Sequence, residues 1–264
     1  MPTIDIDGVN LHYDIEGEGP PLLLIAGLGA NASAWATIRP RLTAEFTCIT
    51  FDNRGVGRSD APPGPYTIEQ MADDTAGLIR RLGFDQVMAV GWSLGGSVLQ
   101  ALLIRNGDLI SKAVLLCAFP SYTELQHGWL ECLLCLRQSA VAAEAQAMFG
   151  MAWGFTGKLL VDHAALAEAA RLGAAAPYPT SYEGFAAQAH GLRRYDSRPM
   201  LAAVTTPTLV LVGAEDVLTP VSQSIEMAQL IPNARLRVLP RGGHGMPIEY
   251  PAETVAAITA FLDG

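Results

Sequence analysis

The chain has 264 residues, of which 50% are hydrophobic and 16% are charged, and this composition is typical of a compact globular protein. Its 26 acidic and 17 basic residues give a formal net charge of −9. A negative surface repels nucleic acid and anionic membranes, so neither partner is expected. The sequence lacks a signal-peptide pattern and a run of about 20 apolar residues, which predicts a cytoplasmic protein without a membrane-spanning helix.

Strand and helix patterns alternate along most of the chain. The first fifteen residues alternate in polarity and turn at Asp7-Gly8, which predicts a β-hairpin. Short apolar runs predict further strands at 20–25, 46–51, 86–90, 112–118, 208–212 and 235–239. The segments between them predict helices at 34–42, 67–82, 94–105 and 252–262. Such an alternation predicts a mostly parallel sheet with helices on both faces.

The chain from about Tyr122 to Met200 departs from this alternation. Alanine, leucine and methionine recur there at helical spacing, and no strand pattern interrupts them. An all-helical insertion between two strands predicts a cap over the carboxyl edge of the sheet, where open α/β sheets bind their ligands. We therefore expect a core of residues 1–120 and 201–264, and a cap of residues 121–200.

One turn has the pattern of a catalytic nucleophile. The segment Gly91-Trp-Ser93-Leu-Gly95 matches G-x-S-x-G, and it lies where a buried strand ends and a helix begins. Its two glycines allow strand and helix to pass closely while Ser93 projects outward. The alternative interpretation is that Ser93 only caps an ordinary helix.

A serine hydroxyl becomes a strong nucleophile only when a nearby base accepts its proton. Of the five histidines, His244 is favoured because it follows the last strand and is flanked by glycines at the carboxyl edge. The base in turn needs a carboxylate that fixes its tautomer. Glu215 and Asp216 both follow the strand at 208–212, only one can point inward, and Asp216 is favoured. The chain order Ser93, Asp216, His244 is one of the orders in which such a triad occurs.

Backbone amides and apolar side chains complete the predicted site. The amides of Leu94 and of Leu28, in the turn Ala26-Gly-Leu-Gly-Ala30, are expected to form an oxyanion hole. That turn is also compatible with a simple connection into the next helix. The candidate pocket residues are Trp92, Met148, Trp153 and Met246. For the residues in the cap, the alternative is that they form the cap's own core.

No pattern predicts a metal ion or an organic cofactor. Cys132 and Cys135 have the spacing of half a zinc site, but no second Cys or His pair follows, so buried free thiols are favoured. The glycine-rich loop at 52–60 lacks the phosphate-binding pattern G-x-x-x-x-G-K-S/T, and we interpret it as structural. The expected partner is a small-molecule substrate, and the oligomeric state is not predicted.

Five segments together carry a resemblance to a known family. They are the serine turn 91–95, the glycine-rich turn 26–30, the loop that begins Asp52-Asn-Arg-Gly55, the acid loop 213–220 and the histidine loop 241–249. On these segments the chain resembles the α/β-hydrolase superfamily over about 22–118 and 207–262. Within it, the chain is most similar to small bacterial esterases and 3-oxoadipate enol-lactonases.

The resemblance implies a mostly parallel eight-stranded sheet with helices on both faces and a helical cap. It also implies a serine hydrolase that cleaves an ester or lactone of a small, largely apolar substrate through an acyl-serine intermediate. One departure is Ala26-Gly27, where many relatives carry His-Gly, so one hydrogen bond within the oxyanion loop is expected to be lost. A slow-turnover receptor, and a cofactor-free lyase or perhydrolase on the same triad, stay open as alternatives.

Overall fold

An eight-stranded sheet forms the centre of the protein in the computed structural model, which describes residues 2–264. In chain order the strands are β1 (Thr3–Ile6), β2 (Val9–Glu16), β3 (Pro21–Ile25), β4 (Thr47–Phe51), β5 (Val87–Trp92), β6 (Ile110–Leu116), β7 (Thr208–Gly213) and β8 (Ala234–Leu239). Their order across the sheet is β1-β2-β4-β3-β5-β6-β7-β8. Only the β1–β2 and β2–β4 pairs are antiparallel, which confirms the predicted mostly parallel sheet.

Eleven α-helices accompany the sheet within residues 2–264. They are α1 (Arg39–Leu42), α2 (Ile68–Arg81), α3 (Leu94–Asn106), α4 (Glu124–Gln138), α5 (Ala143–Gly154), α6 (Gly157–Leu160), α7 (His163–Ala174), α8 (Tyr182–Arg194), α9 (Val221–Leu230), α10 (Met246–Glu249) and α11 (Pro251–Leu262). Among the described helices there is no candidate for a membrane-spanning segment.

The two faces of the sheet bury two separate apolar cores. Successive residues of a strand point to opposite faces, so Leu23 and Ile25 of β3 enter one core while Leu22 and Leu24 enter the other. The first core is covered by α2, α3 and α9, and the second by α1, α10 and α11. Burial on both faces explains why these strands appear in the sequence as continuous apolar runs.

The connection between β3 and β4 differs from the sequence prediction of one helix at 34–42. The structure has a short 3-10 turn at Ala32–Trp35 and a separate α1 of four residues. Pro40 accounts for the break, because proline disfavours the helical conformation at the residue before it and lacks an N–H donor. Pro40 can therefore lie only in the first turn of a helix, as it does in α1.

Five helices, α4 to α8, lie between β6 and β7, where the sequence predicted an all-helical insertion. In this part of the chain the only strand-like pairing in the described structure is an isolated bridge between Ser121 and Asp196. Cys132 and Cys135 on α4 are free thiols, but both are exposed. The expectation that they are buried was wrong, because α4 turns these two positions toward solvent.

The elements that form the serine turn pass one another at backbone contact distance. A Cβ atom added to Gly95 at the start of α3 would overlap the carbonyl oxygen of Ile25 at the end of β3. One added to Gly91 at the end of β5 would overlap the carbonyl oxygen of Gly95. The glycines of this turn are therefore required by space, since the atoms that they face are backbone atoms that cannot rotate away.

We expect Gly95→Ala to lower the free energy of unfolding by about 1–3 kcal/mol, because the new methyl group forces strand and helix apart. Gly128→Ala is the matched control: Gly128 is exposed on α4 and an added Cβ meets nothing within 4 Å. That change should raise stability by about 0.5–1 kcal/mol. Urea unfolding of both variants measures the difference, and equal stability of Gly95→Ala and wild type would contradict the close approach.

Candidate active site

Ser93 lies between the last residue of β5 and the first residue of α3, with backbone angles φ 57° and ψ −118°. A non-glycine residue rarely adopts positive φ, because this conformation costs about 1–3 kcal/mol and persists only where the surrounding structure enforces it. Here the Ser93 amide donates to the Leu116 carbonyl at 3.0 Å, and the Ser93 carbonyl accepts from the Gly96 amide at 2.8 Å. The Ser93 side chain makes no capping hydrogen bond to α3, which argues against the interpretation as a simple helix cap.

His244 lies on the loop after β8, and hydrogen bonds fix its backbone from two sides. The Trp92 indole Nε1 donates to the His244 carbonyl oxygen at 2.9 Å. The amide of the next residue, Gly245, donates to the Gly154 carbonyl at the end of α5 at 2.6 Å. The histidine loop is thus tied both to the neighbour of Ser93 and to the helical segment between β6 and β7.

A buried carboxylate holds the imidazole of His244. Asp216 Oδ2 lies 3.1 Å from His244 Nδ1, and Asp216 Oδ1 accepts the amides of Leu218 at 3.0 Å and Thr219 at 2.8 Å. Burial of Asp216 opposes ionisation. The nearby His244 and the hydrogen bonds from His244 and Thr219 outweigh this effect, so the pKa of the Asp216 carboxyl lies below its ordinary value. Asp216 is therefore an ionised partner for the imidazole.

Thr219 is a member of this cluster that the sequence analysis missed. Its Oγ1 lies 2.7 Å from Asp216 Oδ2, 3.0 Å from His244 Nδ1 and 3.1 Å from the Cys117 carbonyl oxygen. The available signal is the spacing Asp216-x-x-Thr219, since an aspartate often accepts hydrogen bonds from residues two and three positions ahead in a turn. That signal predicts the turn, but not the contact with His244.

Glu215 occupies the outer side of the same loop. It is exposed, and its Oε2 accepts the Gly242 amide at 2.9 Å while its own amide donates to the Gly242 carbonyl at 3.1 Å. Glu215 therefore braces the start of the histidine loop and makes no contact with the imidazole ring within residues 2–264. Of the two acidic neighbours, the structure brings Asp216 to His244.

The predicted oxyanion amides belong to segments that approach Ser93. A Cβ added to Gly27, next to Leu28, would lie 3.4 Å from the Ser93 Cβ. Neither the Leu28 nor the Leu94 amide donates to an acceptor within residues 2–264. The glycine-rich turn is held by neighbours instead: Gln188 on α8 accepts the Gly29 amide at 3.0 Å. Gln188 thus supports the turn that contains Ala26.

The segment that follows the glycine-rich turn 26–30 is joined to the 52–60 loop. Buried Asp52 accepts the Ala32 amide at 2.8 Å with Oδ1 and the Arg58 amide at 2.8 Å with Oδ2. These contacts agree with the interpretation of the 52–60 loop as a structural element.

A cavity of about 690 Å³ opens above these residues. Ser93, His244, Thr219 and Trp92 line it, together with residues of α4 and α5. Several aromatic side chains also line it, and they are Phe119, Tyr122, Trp129, Phe155, Tyr178, Tyr182 and Phe185.

Three of the four pocket residues expected from the sequence do not line this cavity. Met246 is fully buried in the core beneath α10, because it begins that helix and packs toward the sheet. Met148 is 40% exposed on α5, and Trp153 on the same helix is half-buried outside the cavity lining. The helical phase of α5 explains these placements, because it turns other residues, such as Ala147 and Gly150, toward the cavity.

Comparisons with known proteins identify the family of this chain. The sequence matches the family described as alpha/beta hydrolase fold over residues 20–251. The chain belongs to this family. It is 30% identical over 273 residues to a protein from Caulobacter sp. (strain K31) that carries the provisional name carbamate hydrolase RutD, covering 100% of this chain and 99% of that protein.

Two solved structures extend the likeness. One is an enol-lactonase from Burkholderia xenovorans LB400, with a TM-score of 0.88, 29% identity and 100% coverage of both chains. The other is a thermophilic esterase from Thermogutta terrifontis, with a TM-score of 0.85 and 30% identity over 99% of this chain and 96% of that one. The present chain is accordingly a hydrolase of the α/β-hydrolase fold.

Cys117 completes a group of three possible metal ligands in this hydrolase, with its sulfur within 4.8 Å of ligand atoms of Asp216 and His244. Burial raises the pKa of the Cys117 thiol well above its ordinary value, and the negative Asp216 adds to the effect. The thiol is therefore neutral, whereas metal ligation requires a thiolate. These three groups fit a hydrogen-bonded cluster better than a metal centre.

We expect Asp216→Asn to reduce kcat/KM for the hydrolase's best substrate by about 10⁴-fold, the cost of the same change in the serine-protease template. The amide favours the wrong imidazole tautomer and removes a buried negative charge. Glu215→Gln is the matched control and should cost less than about tenfold, because the Glu215 side chain is exposed and contacts the Gly242 backbone. A larger loss in Glu215→Gln than in Asp216→Asn would show that the wrong acid was assigned.

Proposed function

We propose that this α/β hydrolase is a serine hydrolase that cleaves a carboxylic ester or lactone of a small, largely apolar substrate. The observation that carries the proposal is that Ser93 and His244 line the same cavity. Ser93 lies on a strained turn, and buried Asp216 holds the imidazole of His244. Acyl transfer requires a nucleophile and a base that share one cavity, and a carboxylate that orients the base.

The proposed chemistry follows from which atoms are already engaged. His244 Nδ1 is held by Asp216, which leaves Nε2 to accept the Ser93 hydroxyl proton as Oγ attacks the substrate carbonyl carbon. The resulting oxyanion accepts hydrogen bonds from the Leu28 and Leu94 amides, and each such donor is worth about 10²–10³-fold in rate. As the carbon–oxygen bond breaks, His244 returns its proton to the leaving alcohol, and an acyl-serine is formed.

The second half of the reaction uses the same groups. Water attacks the acyl-serine, His244 accepts one water proton, and the Ser93 oxygen leaves with a proton from His244. The products are a carboxylic acid and an alcohol. In a lactone the alcohol stays attached to the acyl group, so the product is a single hydroxy acid or its keto tautomer. No step in this scheme uses a metal ion or an organic cofactor.

The names of the relatives support this bond type. These relatives are named as a carbamate hydrolase, an enol-lactonase and an esterase. Each of these reactions begins with attack on a carbonyl carbon that is bonded to a heteroatom. The largely aromatic and aliphatic lining of the cavity favours an apolar substrate body.

We also propose that residues 121–200 act as a cap on a core of residues 1–120 and 201–264. Helices α4 and α5 line the cavity, and the Gly154 carbonyl at the end of α5 accepts the amide beside His244. A segment that lies between two strands and lines the catalytic cavity is placed to select substrates.

We expect Ser93→Ala to fold normally and to lose ester hydrolysis by about 10⁴-fold or more, because the nucleophile is absent. Ser97→Ala is the control, since Ser97 lies one turn further along α3 and its buried hydroxyl makes no hydrogen bond within residues 2–264. The measurement is kcat/KM on a panel of p-nitrophenyl esters and lactones. Retained activity in Ser93→Ala would contradict the proposal.

The same panel, together with a cyanohydrin assay and a peroxide-dependent oxidation assay, separates the alternatives. A burst of one product equivalent followed by almost no turnover would favour a receptor. Cyanohydrin cleavage or peroxide-dependent oxidation without ester hydrolysis would favour a lyase or perhydrolase.

A further inference from the structure

Glu249, the last residue of α10, is a buried carboxylate that lies close in the chain to His244. It is 8% exposed and ends the histidine loop 241–249. No cationic side chain of the described residues forms an ion pair with it. Removal of a carboxylate from water is costly unless hydrogen bonds replace the lost solvation. The groups that bind Glu249 in place of water therefore indicate what it does.

Within residues 2–264, the hydrogen bonds to this carboxylate come from one residue of the helical segment between β6 and β7. The Thr156 amide donates to Glu249 Oε2 at 3.0 Å and to Oε1 at 3.2 Å, and the Thr156 hydroxyl donates to Oε1 at 3.1 Å. Thr156 is itself buried, at the junction of α5 and α6. The Lys158 ammonium on α6 donates to the Glu249 backbone carbonyl at 2.5 Å. The α5–α6 junction thus binds both the side chain and the backbone of Glu249.

These contacts belong to a closed ring of hydrogen bonds that includes the residue after His244. The Glu249 amide donates to the Gly245 carbonyl at 3.1 Å, and the Gly245 amide donates to the Gly154 carbonyl at 2.6 Å. The Phe155 ring packs so closely on Gly245 that an added Cβ would lie 3.0 Å from it. A movement of Glu249 away from the junction would therefore move Gly245 and, with it, His244.

Stability alone does not account for a carboxylate at this place. Apolar side chains of similar volume often stabilise a fold as well as buried charges do, or better. The carboxylate adds direction, because its two oxygens accept the Thr156 amide together. Direction matters beside a catalytic base, since a displacement of about 1 Å can reduce the rate about 10²-fold.

We propose that Glu249 is a positioning residue, which binds the histidine loop to the α5–α6 junction and so holds the His244 imidazole in reach of Ser93. This inference rests on the proposed function, because it concerns the same base and nucleophile. Glu249 is absent from the cavity lining in the described part of the chain, so it does not act on the substrate directly. It acts through Thr156 and Gly245.

The test replaces Glu249 by its amide and follows the reaction of Ser93. We expect Glu249→Gln to lower kcat for a p-nitrophenyl ester by about 10- to 100-fold and to leave KM within about threefold, because the base is displaced while the cavity lining is unchanged. Modification of Ser93 by a small fluorophosphonate also needs His244 and should slow by the same factor. Urea unfolding of the variant gives the folded fraction, so that each loss is expressed per folded molecule.

Glu253→Gln is the matched control, since Glu253 lies four residues further along the chain and is exposed on α11. It should change neither rate by more than about twofold. Thr156→Val removes the hydroxyl donor to Glu249 and should lower kcat, whereas Thr156→Ser keeps that donor and should retain it. Thr156→Val added to Glu249→Gln should cost little more than Glu249→Gln alone, because both changes break one contact.

Three results would overturn the proposal. Unchanged kcat and labelling rate per folded molecule in Glu249→Gln would leave Glu249 a merely structural role. A raised KM with an unchanged labelling rate would assign Glu249 to substrate binding. Additive losses in the double variant would show that Glu249 does not act through Thr156.

Nitrogen NMR of protein labelled with ¹⁵N-histidine separates this inference from the proposed function, because it observes the His244 imidazole without a substrate. His244→Gln identifies its signals among those of the five histidines. We expect Glu249→Gln to shift the His244 signals and Glu253→Gln to leave them in place. If wild type neither cleaves esters nor reacts with the fluorophosphonate, such a shift keeps the positioning role, and the hydrolytic proposal fails. If esters are cleaved and Glu249→Gln leaves the His244 signals in place, the positioning role is wrong and the hydrolytic proposal stands.

Discussion

The close packing of β3, β5 and α3 around one strained residue is the constraint on which the site depends. Ser93 has φ 57°, a conformation that an isolated chain would leave for a more favourable one. It persists because Gly91 and Gly95 let backbone meet backbone on both sides, and because the Ser93 amide and carbonyl are both hydrogen-bonded. The two-sided core of the sheet supplies the free energy that holds this turn in place.

The other groups of the site depend on the same sheet edge. Because β5, β7 and β8 are parallel, their carboxyl ends bring Ser93, Asp216 and His244 to one edge from distant parts of the chain. Hydrogen bonds then fix the loops: the Trp92 indole holds the His244 carbonyl, and two amides hold the Asp216 carboxylate. The helical segment between β6 and β7 completes the lining of the cavity.

The sequence predicted most of the sheet and the edge of the sheet at which Ser93, Asp216 and His244 lie, because each rests on a local pattern. Strands buried on both faces are continuous apolar runs, and the serine turn needs glycines at fixed spacing. The segment between β6 and β7 was predicted to be helical, but the residues that it turns toward the cavity were not predicted correctly. Met148 and Trp153 were expected in the cavity, and α5 turns them elsewhere. Thr219 was missed, because its contact with His244 joins residues far apart in the chain.

The most direct test of the central claim is to react the protein with a serine-directed fluorophosphonate and to locate the added mass by peptide mass spectrometry. The account predicts one modified residue, Ser93, and much slower labelling in Asp216→Asn because His244 is no longer oriented as a base. Labelling of another serine while Ser93 stays unmodified, or an unchanged labelling rate in Asp216→Asn, would contradict it.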